Sequence, residues 1–173
     1  NHKNGTDRIF EVFEKKLEKK IKIIINFQGD MPNLNSSAIQ NLITHMNNSS
    51  CDIGTLASDL KRNKEEKDPN IVKVLVTDSL KKNNFSSAID FFRVPKDILK
   101  NNTYHHVGIY AFTNKALIRY VGLKRSRLEI ERKLEQLRAL ENKMKINVGY
   151  IDSCPLSVDT ENDLLKIKKI MEN

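Results

Sequence analysis

Two carboxylates stand where the chain leaves a strand. Asp30 follows the apolar run Ile21 to Phe27. Asp159 follows the run Lys145 to Ile151 and its extension Ser153-Cys154-Pro155-Leu156, just ahead of a helix. In open α/β sheets, ligands bind beyond the carboxyl ends of strands. Two carboxylates delivered there could hold one Mg²⁺, a hard cation that takes oxygen ligands, keeps several waters and shares its shell with substrate phosphates. Read singly, Asp30 is better explained as a turn residue after Gly29, and Asp159 as a helix cap. The pairing is what points to chemistry.

Gly5-Thr6-Asp7-Arg8 places a Gly-Thr turn at a helix start, where backbone N–H groups suit a phosphate, a base edge or a ribose hydroxyl. No Walker loop and no GxGxxG occurs, so P-loop and dinucleotide readings lose ground. His105-His106 invites a metal reading, but neighbours on a strand point to opposite faces, so only one can face a shared site. Glu135-Gln136 reads by itself as an exposed helix face. There is no Ser-His-Asp arrangement and no candidate catalytic thiol, which disfavours a covalent hydrolase.

These residues need elements to hold them. Thr6 can cap a helix with the apolar stripe Ile9, Phe10, Phe13 and Leu17. Ile21 to Phe27 has the β-branched, unbroken look of a parallel strand buried on both faces. A helix opening near Asn35 or Ser36 buries Ile39, Leu42, Ile43 and Met46. Asp52 to Leu60 reads as a strand, and Lys61 to Asp68 as a polar loop. Ile71 to Val76 and Ala88 to Phe92 form an antiparallel hairpin. His106 to Phe112 is a strand, and Thr113 starts a short helix. Ser126 to Glu129 has capping-box form and opens a helix to about Glu141. Lys145 to Ile151 is a strand. Thr160 caps the last helix, with Leu164, Leu165, Ile167, Ile170 and Met171 inward. The alternation predicts an α/β fold: a mixed, mostly parallel sheet with helices on both faces and one β-hairpin arm.

The chain has 173 residues, which fits a single domain. Hydrophobic residues are 39% and charged residues 30%, too apolar for a disordered chain and too polar for a membrane protein. No run is long enough to span a bilayer. Two distant cysteines, Cys51 and Cys154, form no metal-ligand pattern and fit a reduced, cytoplasmic compartment. The net charge is +8. The lysines are spread along the chain without interleaved stacking aromatics, so a nucleic-acid partner is not expected.

The pieces occur in the order of a known family. His2-Lys3-Asn4-Gly5-Thr6-Asp7-Arg8 resembles the His-x-x-Gly-Thr-Asp/Glu-Arg loop of the 3-deoxy-manno-octulosonate (Kdo) cytidylyltransferases. Asn26-Phe27-Gln28-Gly29-Asp30-Met31-Pro32 resembles their Asn-x-Gln-Gly-Asp-x-Pro stretch. Asp68-Pro69-Asn70-Ile71-Val72-Lys73 resembles their Asp-Pro-Asn-x-Val-Lys. Tyr104 to Tyr110 together with Leu134 to Arg138 resembles the sugar-binding region, and Val158-Asp159-Thr160 with Asp163-Leu164 resembles the closing Val-Asp-Thr-x-x-Asp-Leu. Met31 departs from an acidic residue common in the family, and Phe92 from the Ser/Thr before Arg93.

The resemblance implies a Rossmann-like nucleotide-diphosphosugar-transferase fold. It implies transfer of CMP from CTP to Kdo, giving CMP-Kdo and pyrophosphate for lipopolysaccharide biosynthesis. It also implies Mg²⁺ at Asp30 and Asp159, which would be the catalytic pair. By the same resemblance, Arg93, His106, Tyr110, Glu135 and Gln136 hold the sugar, while Gly5, Thr6, Gln28 and Asp30 lie by the nucleotide. A homodimer is expected, with the hairpin as a possible pairing element. The family's N-terminal βα unit, with its phosphate-cradling loop, would lie upstream of Asn1. On that reading residues 1–173 are one incomplete cytidylyltransferase domain, inactive or poorly active alone.

Overall fold

The computed structural model describes residues 5–16, 21–27, 29, 31–95, 100–158 and 160–172. In chain order the elements are α1 (Gly5–Lys16), β1 (Ile23–Asn26), α2 (Ser36–Asn48), β2 (Ile53–Ser58), α3 (Arg62–Glu65), β3 (Lys73–Val76), β4 (Phe85–Phe92), β5 (Thr103–Thr113), α4 (Asn114–Val121), α5 (Arg127–Arg132), α6 (Gln136–Glu141), β6 (Ile146–Tyr150) and α7 (Glu161–Met171).

One six-stranded sheet organises them, in the order β1-β5-β2-β6-β4-β3, with β3 also paired to β5. The α/β class and the mixed sheet agree with the expectation. The balance of directions does not. Among the described residues only β2–β6 is parallel; β1–β5, β2–β5, β3–β4, β3–β5 and β4–β6 are antiparallel. For three of the five antiparallel pairs the cause is β5, whose long run takes β2 on one edge and β1 and β3 on the other. A strand returning between others makes its neighbours antiparallel, whatever their own sequences say. The hairpin of β3 and β4 is present, and both of its strands also join the sheet, β3 to β5 and β4 to β6.

Helices cover both faces. On one face α2 buries Ala38, Leu42 and Met46 against Leu56, Val107, Ile109 and Ala111. Asn35 caps α2 by accepting a bond from the Ser37 amide at 2.9 Å. On the other face α1 brings Phe13 and α4 brings Leu117 and Tyr120 against Ile24, Ile53 and Phe112. Thr113 caps α4, its hydroxyl accepting from the Ala116 amide at 3.1 Å.

Four local expectations change. β1 is not buried on both faces: it pairs with β5, and Ile23 and Ile25 are only partly covered. The segment 61–68 contains the short helix α3. The single helix expected from Ser126 to Glu141 is two, because Lys133 adopts a left-handed conformation (φ 54°, ψ 44°) that closes α5. Among the described side chains of α7 only Ile167 is buried; Leu164, Leu165 and Ile170 are each more than half exposed. Leu17 and the Met171 side chain lie outside what is described.

Candidate active site

Four of the five sugar-site residues expected from sequence, His106, Tyr110, Glu135 and Gln136, gather on the α1/α4 face, around β5. Thr6, Tyr110, Glu135 and Gln136 line one small cavity, floored by Ile53, Phe112 and Tyr120. Thr6 was expected as a helix cap. It lies instead inside the first turn of α1, and its buried hydroxyl donates across the fold to Glu135 Oε2 at 3.1 Å. Gly5 is the first residue of that helix. Glu135 was read from sequence as an exposed helix face. The left-handed turn at Lys133 swings it inward, so it precedes α6 and meets Thr6.

His106 and Tyr110 project to the same face of β5, with ring centroids 5.5 Å apart. Phe91 of β4 meets the His106 ring edge-on at 5.0 Å. Thr55 Oγ1 lies 2.7 Å from the Ile109 carbonyl and 2.9 Å from His106 Nε2. A hydroxyl has one proton to give. Given to the shorter carbonyl contact, it leaves Thr55 accepting from Nε2–H, and His106 Nδ1 is then an acceptor. This tautomer is assigned from the network. Burial, reinforced by His105, pushes the His106 pKa down to about 3, so the ring is neutral at physiological pH. His105 turns to the other face, as strand alternation requires.

Burial also raises the Glu135 carboxyl pKa, opposed by the Thr6 hydrogen bond and by Arg138. Tyr110 is raised well above its ordinary range, by burial first and then by Glu135. Its hydroxyl therefore stays protonated and can donate. The face thus combines a neutral imidazole, a phenol, a carboxyl group and the Gln136 amide. That set suits a ligand bearing several hydroxyl groups.

A buried scaffold fixes Glu135. Arg138 grips Glu129 through two bonds of 2.6 and 2.8 Å. Its guanidinium lies 4.7 Å from the centre of the Tyr120 ring. The Tyr120 hydroxyl donates to the Glu135 carbonyl at 2.9 Å. Glu129 also accepts from Arg125 and from the Ser126 amide. Burial alone would raise the Glu129 carboxyl pKa; its bonds to Arg138 and Arg125 outweigh that and hold it below the usual range.

Other expected residues are placed differently. Arg93 directs Nη1 to the carbonyls of Pro69 and Asn70, at 3.0 and 3.1 Å, which anchors it to the turn before β3. None of its described hydrogen bonds reaches the His106–Glu135 group. Gln28, Asp30 and Asp159 lie outside the described residues. Their neighbours are joined: Asn33 Oδ1 accepts from the Leu156 amide at 3.0 Å, tying the segment after β1 to the one after β6. Each is three residues from its aspartate. Among the described residues no three His, Cys, Asp or Glu side chains gather as a metal site.

Sequence reasoning passed over several site residues. Thr55, Tyr120 and Arg138 act through contacts distant in sequence, and Glu129, legible locally only as a capping-box residue, gains its part in the scaffold from Arg138. Asn26, a polar residue closing the run Ile23-Ile24-Ile25, carried a readable signal. Cys154, His105 and Glu65 do come into line, with Cys154 Sγ 3.4 Å from Nε2 and Glu65 Oε2 3.1 Å from Nδ1. Burial, with Glu65 adding to it, pushes the Cys154 thiol up to about 11, the reverse of an activated nucleophile.

Comparison with known proteins defines the class first. The family model described as Cytidylyltransferase matches residues 1–146. The 3-deoxy-manno-octulosonate cytidylyltransferase of Bartonella tribocorum is 41% identical over 172 residues, covering 99% of this chain and 70% of the relative. The enzyme of that name from Afipia carboxidovorans is 41% identical over 176 residues, covering 99% of this chain and 69% of its own. The chain belongs to the 3-deoxy-manno-octulosonate cytidylyltransferase family. Among solved structures, CMP:2-keto-3-deoxy-manno-octonic acid synthetase complexed with CTP superposes with a TM-score of 0.86 at 29% identity, over 99% of this chain and 69% of that one. The 4-diphosphocytidyl-2C-methyl-D-erythritol synthase of Anaerococcus prevotii shares the fold, with a TM-score of 0.63 at 10% identity, over 100% of this chain and 68% of that one.

Proposed function

We propose that this protein transfers CMP from CTP to 3-deoxy-D-manno-octulosonate, giving CMP-Kdo and pyrophosphate for lipopolysaccharide biosynthesis. The observation that carries the reading is the convergence of Thr6, Tyr110, Glu135 and Gln136 on one cavity beside His106, in a chain of this family. In the reaction the anomeric hydroxyl oxygen forms a bond to the α-phosphorus of CTP. The bond from that phosphorus to the bridging oxygen breaks, pyrophosphate departs, and the hydroxyl proton is released. Such displacements depend on positioning and charge neutralisation. Glu135 and the neutral His106 accept hydrogen bonds from sugar hydroxyls, and Tyr110 and Gln136 donate to its oxygens. Arg93 offers a cation for the sugar carboxylate once it leaves the turn at residues 69–70.

Asp30 and Asp159 would hold Mg²⁺. Two oxygen-donor groups suit a cation that keeps waters and takes phosphate oxygens, and the Asn33–Leu156 bond supports this by holding their segments at one end of the sheet. When bound, the cation supplies charge neutralisation at the phosphates. Gln28 and the Gly5-Thr6 turn complete the nucleotide side. We further place the enzyme in the cytoplasm as a homodimer. Two free cysteines fit a reducing compartment, and among the described residues no helix is long and apolar enough to cross a membrane.

The test is pyrophosphate release from CTP against a panel of sugar acids, with and without Mg²⁺. Kdo should be the best acceptor, and release should need the metal. Asp30→Asn and Asp159→Asn should each lower the rate by about a hundredfold or more while the fold survives. Preference for another sugar acid would move the substrate assignment, and metal-independent release would remove the Mg²⁺ role.

A further inference from the structure

Asn26 ends β1 and is 5% exposed. Alternation along the strand puts it on the face of Ile24, and the sheet register sets it opposite Tyr110. The amide therefore stands on the site face of the sheet, beside the sugar pocket. Its Nδ2 has no hydrogen-bond partner among the described residues. Buried amides in native proteins are nearly always hydrogen-bonded, because an unmatched one has given up water without replacing it. Ser58 Oγ and Ser126 Oγ also lack an aligned partner, but each has a neighbour to turn to, Cys154 and Glu141 respectively. A hydroxyl can rotate to donate or accept, whereas a carboxamide nitrogen only donates. Asn26 thus presents a donor awaiting an acceptor.

The surroundings narrow the acceptor. Glu135 and neutral His106 already provide acceptors on this face. Arg138 is committed to Glu129 by its two bonds. With Arg138 so engaged, the neutral donors of this face suit hydroxyl and carboxylate oxygens better than a triphosphate. We propose that Asn26 is a specificity-determining residue of the sugar pocket, donating a hydrogen bond from Nδ2 to an oxygen of the bound sugar acid. The inference rests on the sugar-acid reading above and adds a residue to it.

Two variants test it. Asn26→Leu keeps the volume close and removes the donor. Asn26→Asp keeps the shape and replaces the donor with an acceptor. Michaelis constants for Kdo and for CTP are measured with the unliganded melting temperature. The Kdo constant should rise about tenfold or more in both variants, and the CTP constant should stay within about twofold. Asn26→Leu should melt at or above the wild-type temperature, because the Nδ2 donor it removes has no partner among the described residues. A lower melting temperature with an unchanged Kdo constant would show that the amide serves the fold, and would overturn the proposal. A rise confined to CTP would overturn it as well. If the wild type makes product from another sugar acid and none from Kdo, the Kdo reading fails on its own. The Asn26 proposal is then read from melting shifts that this acid produces with CTP, or Kdo where nothing turns over, and equal shifts in wild type and Asn26→Leu would end it.

Discussion

Thr6 and Glu135 are 129 residues apart in the chain, and the Thr6 hydroxyl donates to the Glu135 carboxylate at 3.1 Å. One bond joins the first turn of α1 to a carboxylate of the candidate site. It also tunes that residue, because burial favours the protonated acid and the Thr6 bond favours the anion. Thr6→Val removes the bond at nearly constant shape. The Glu135 pKa should then rise, so the acid limb of kcat/KM for the sugar should move to higher pH. Thr6→Ser should restore it. A pH–rate profile of the three proteins checks this.

The Glu129–Arg138 pair is buried and doubly bonded, and it supports Tyr120, which holds the Glu135 carbonyl. Breaking such a pair strands a charge and costs about 3–5 kcal/mol. Arg138→Met should lose that much in urea unfolding. Glu129→Leu combined with Arg138→Met should recover most of it, since no lone charge remains.

His106 gives the fold a dependence on acid. Its pKa is depressed to about 3 from 6.5 by burial, so the unfolded chain binds the extra proton between those values. The neutral ring's contribution is complete above pH 6.5 and is lost as pH falls towards 3, with a slope of at most about 1.4 kcal/mol per pH unit. Unfolding free energies at pH 7.5 and 5 should differ more in the wild type than in His106→Leu, which cannot gain that proton.

Much of this was legible in the sequence, and the failures have identifiable causes. The caps at Asn35, Thr113 and Thr160 lie where local chemistry put them, because capping is a matter of three or four adjacent residues. Strand direction was not legible for β1. Ile23 to Asn26 looks the same whether its neighbour runs parallel or antiparallel, and β5 decides that from almost ninety residues away. The break between α5 and α6 was also hidden. Lys133 is neither Gly nor Asn, the residues that usually mark a left-handed cap, and yet that turn delivers Glu135 to the site. His106 and Tyr110 could be placed on one face from spacing alone, but the neutrality of His106 depends on burial that only the packed fold supplies.

Both thiols should be inert in the native state. Burial raises Cys51, and burial with Glu65 pushes Cys154 up to about 11. Less than about one thousandth of Cys154 is then thiolate at neutral pH. Iodoacetamide should label neither residue until denaturant is added, as read by intact mass. Rapid labelling of Cys154 in the folded protein would mean that its alignment with His105 activates it.

The transfer itself can be followed with CTP carrying heavy oxygen in the bridge between its α and β phosphorus atoms, with Kdo and Mg²⁺ present. Attack by the sugar hydroxyl at the α-phosphorus sends the bridging oxygen away with the leaving group. The expected result is complete recovery of the label in pyrophosphate, with an equal amount of CMP-Kdo formed. Label retained on the cytidine nucleotide, or pyrophosphate released without a sugar nucleotide, would contradict it.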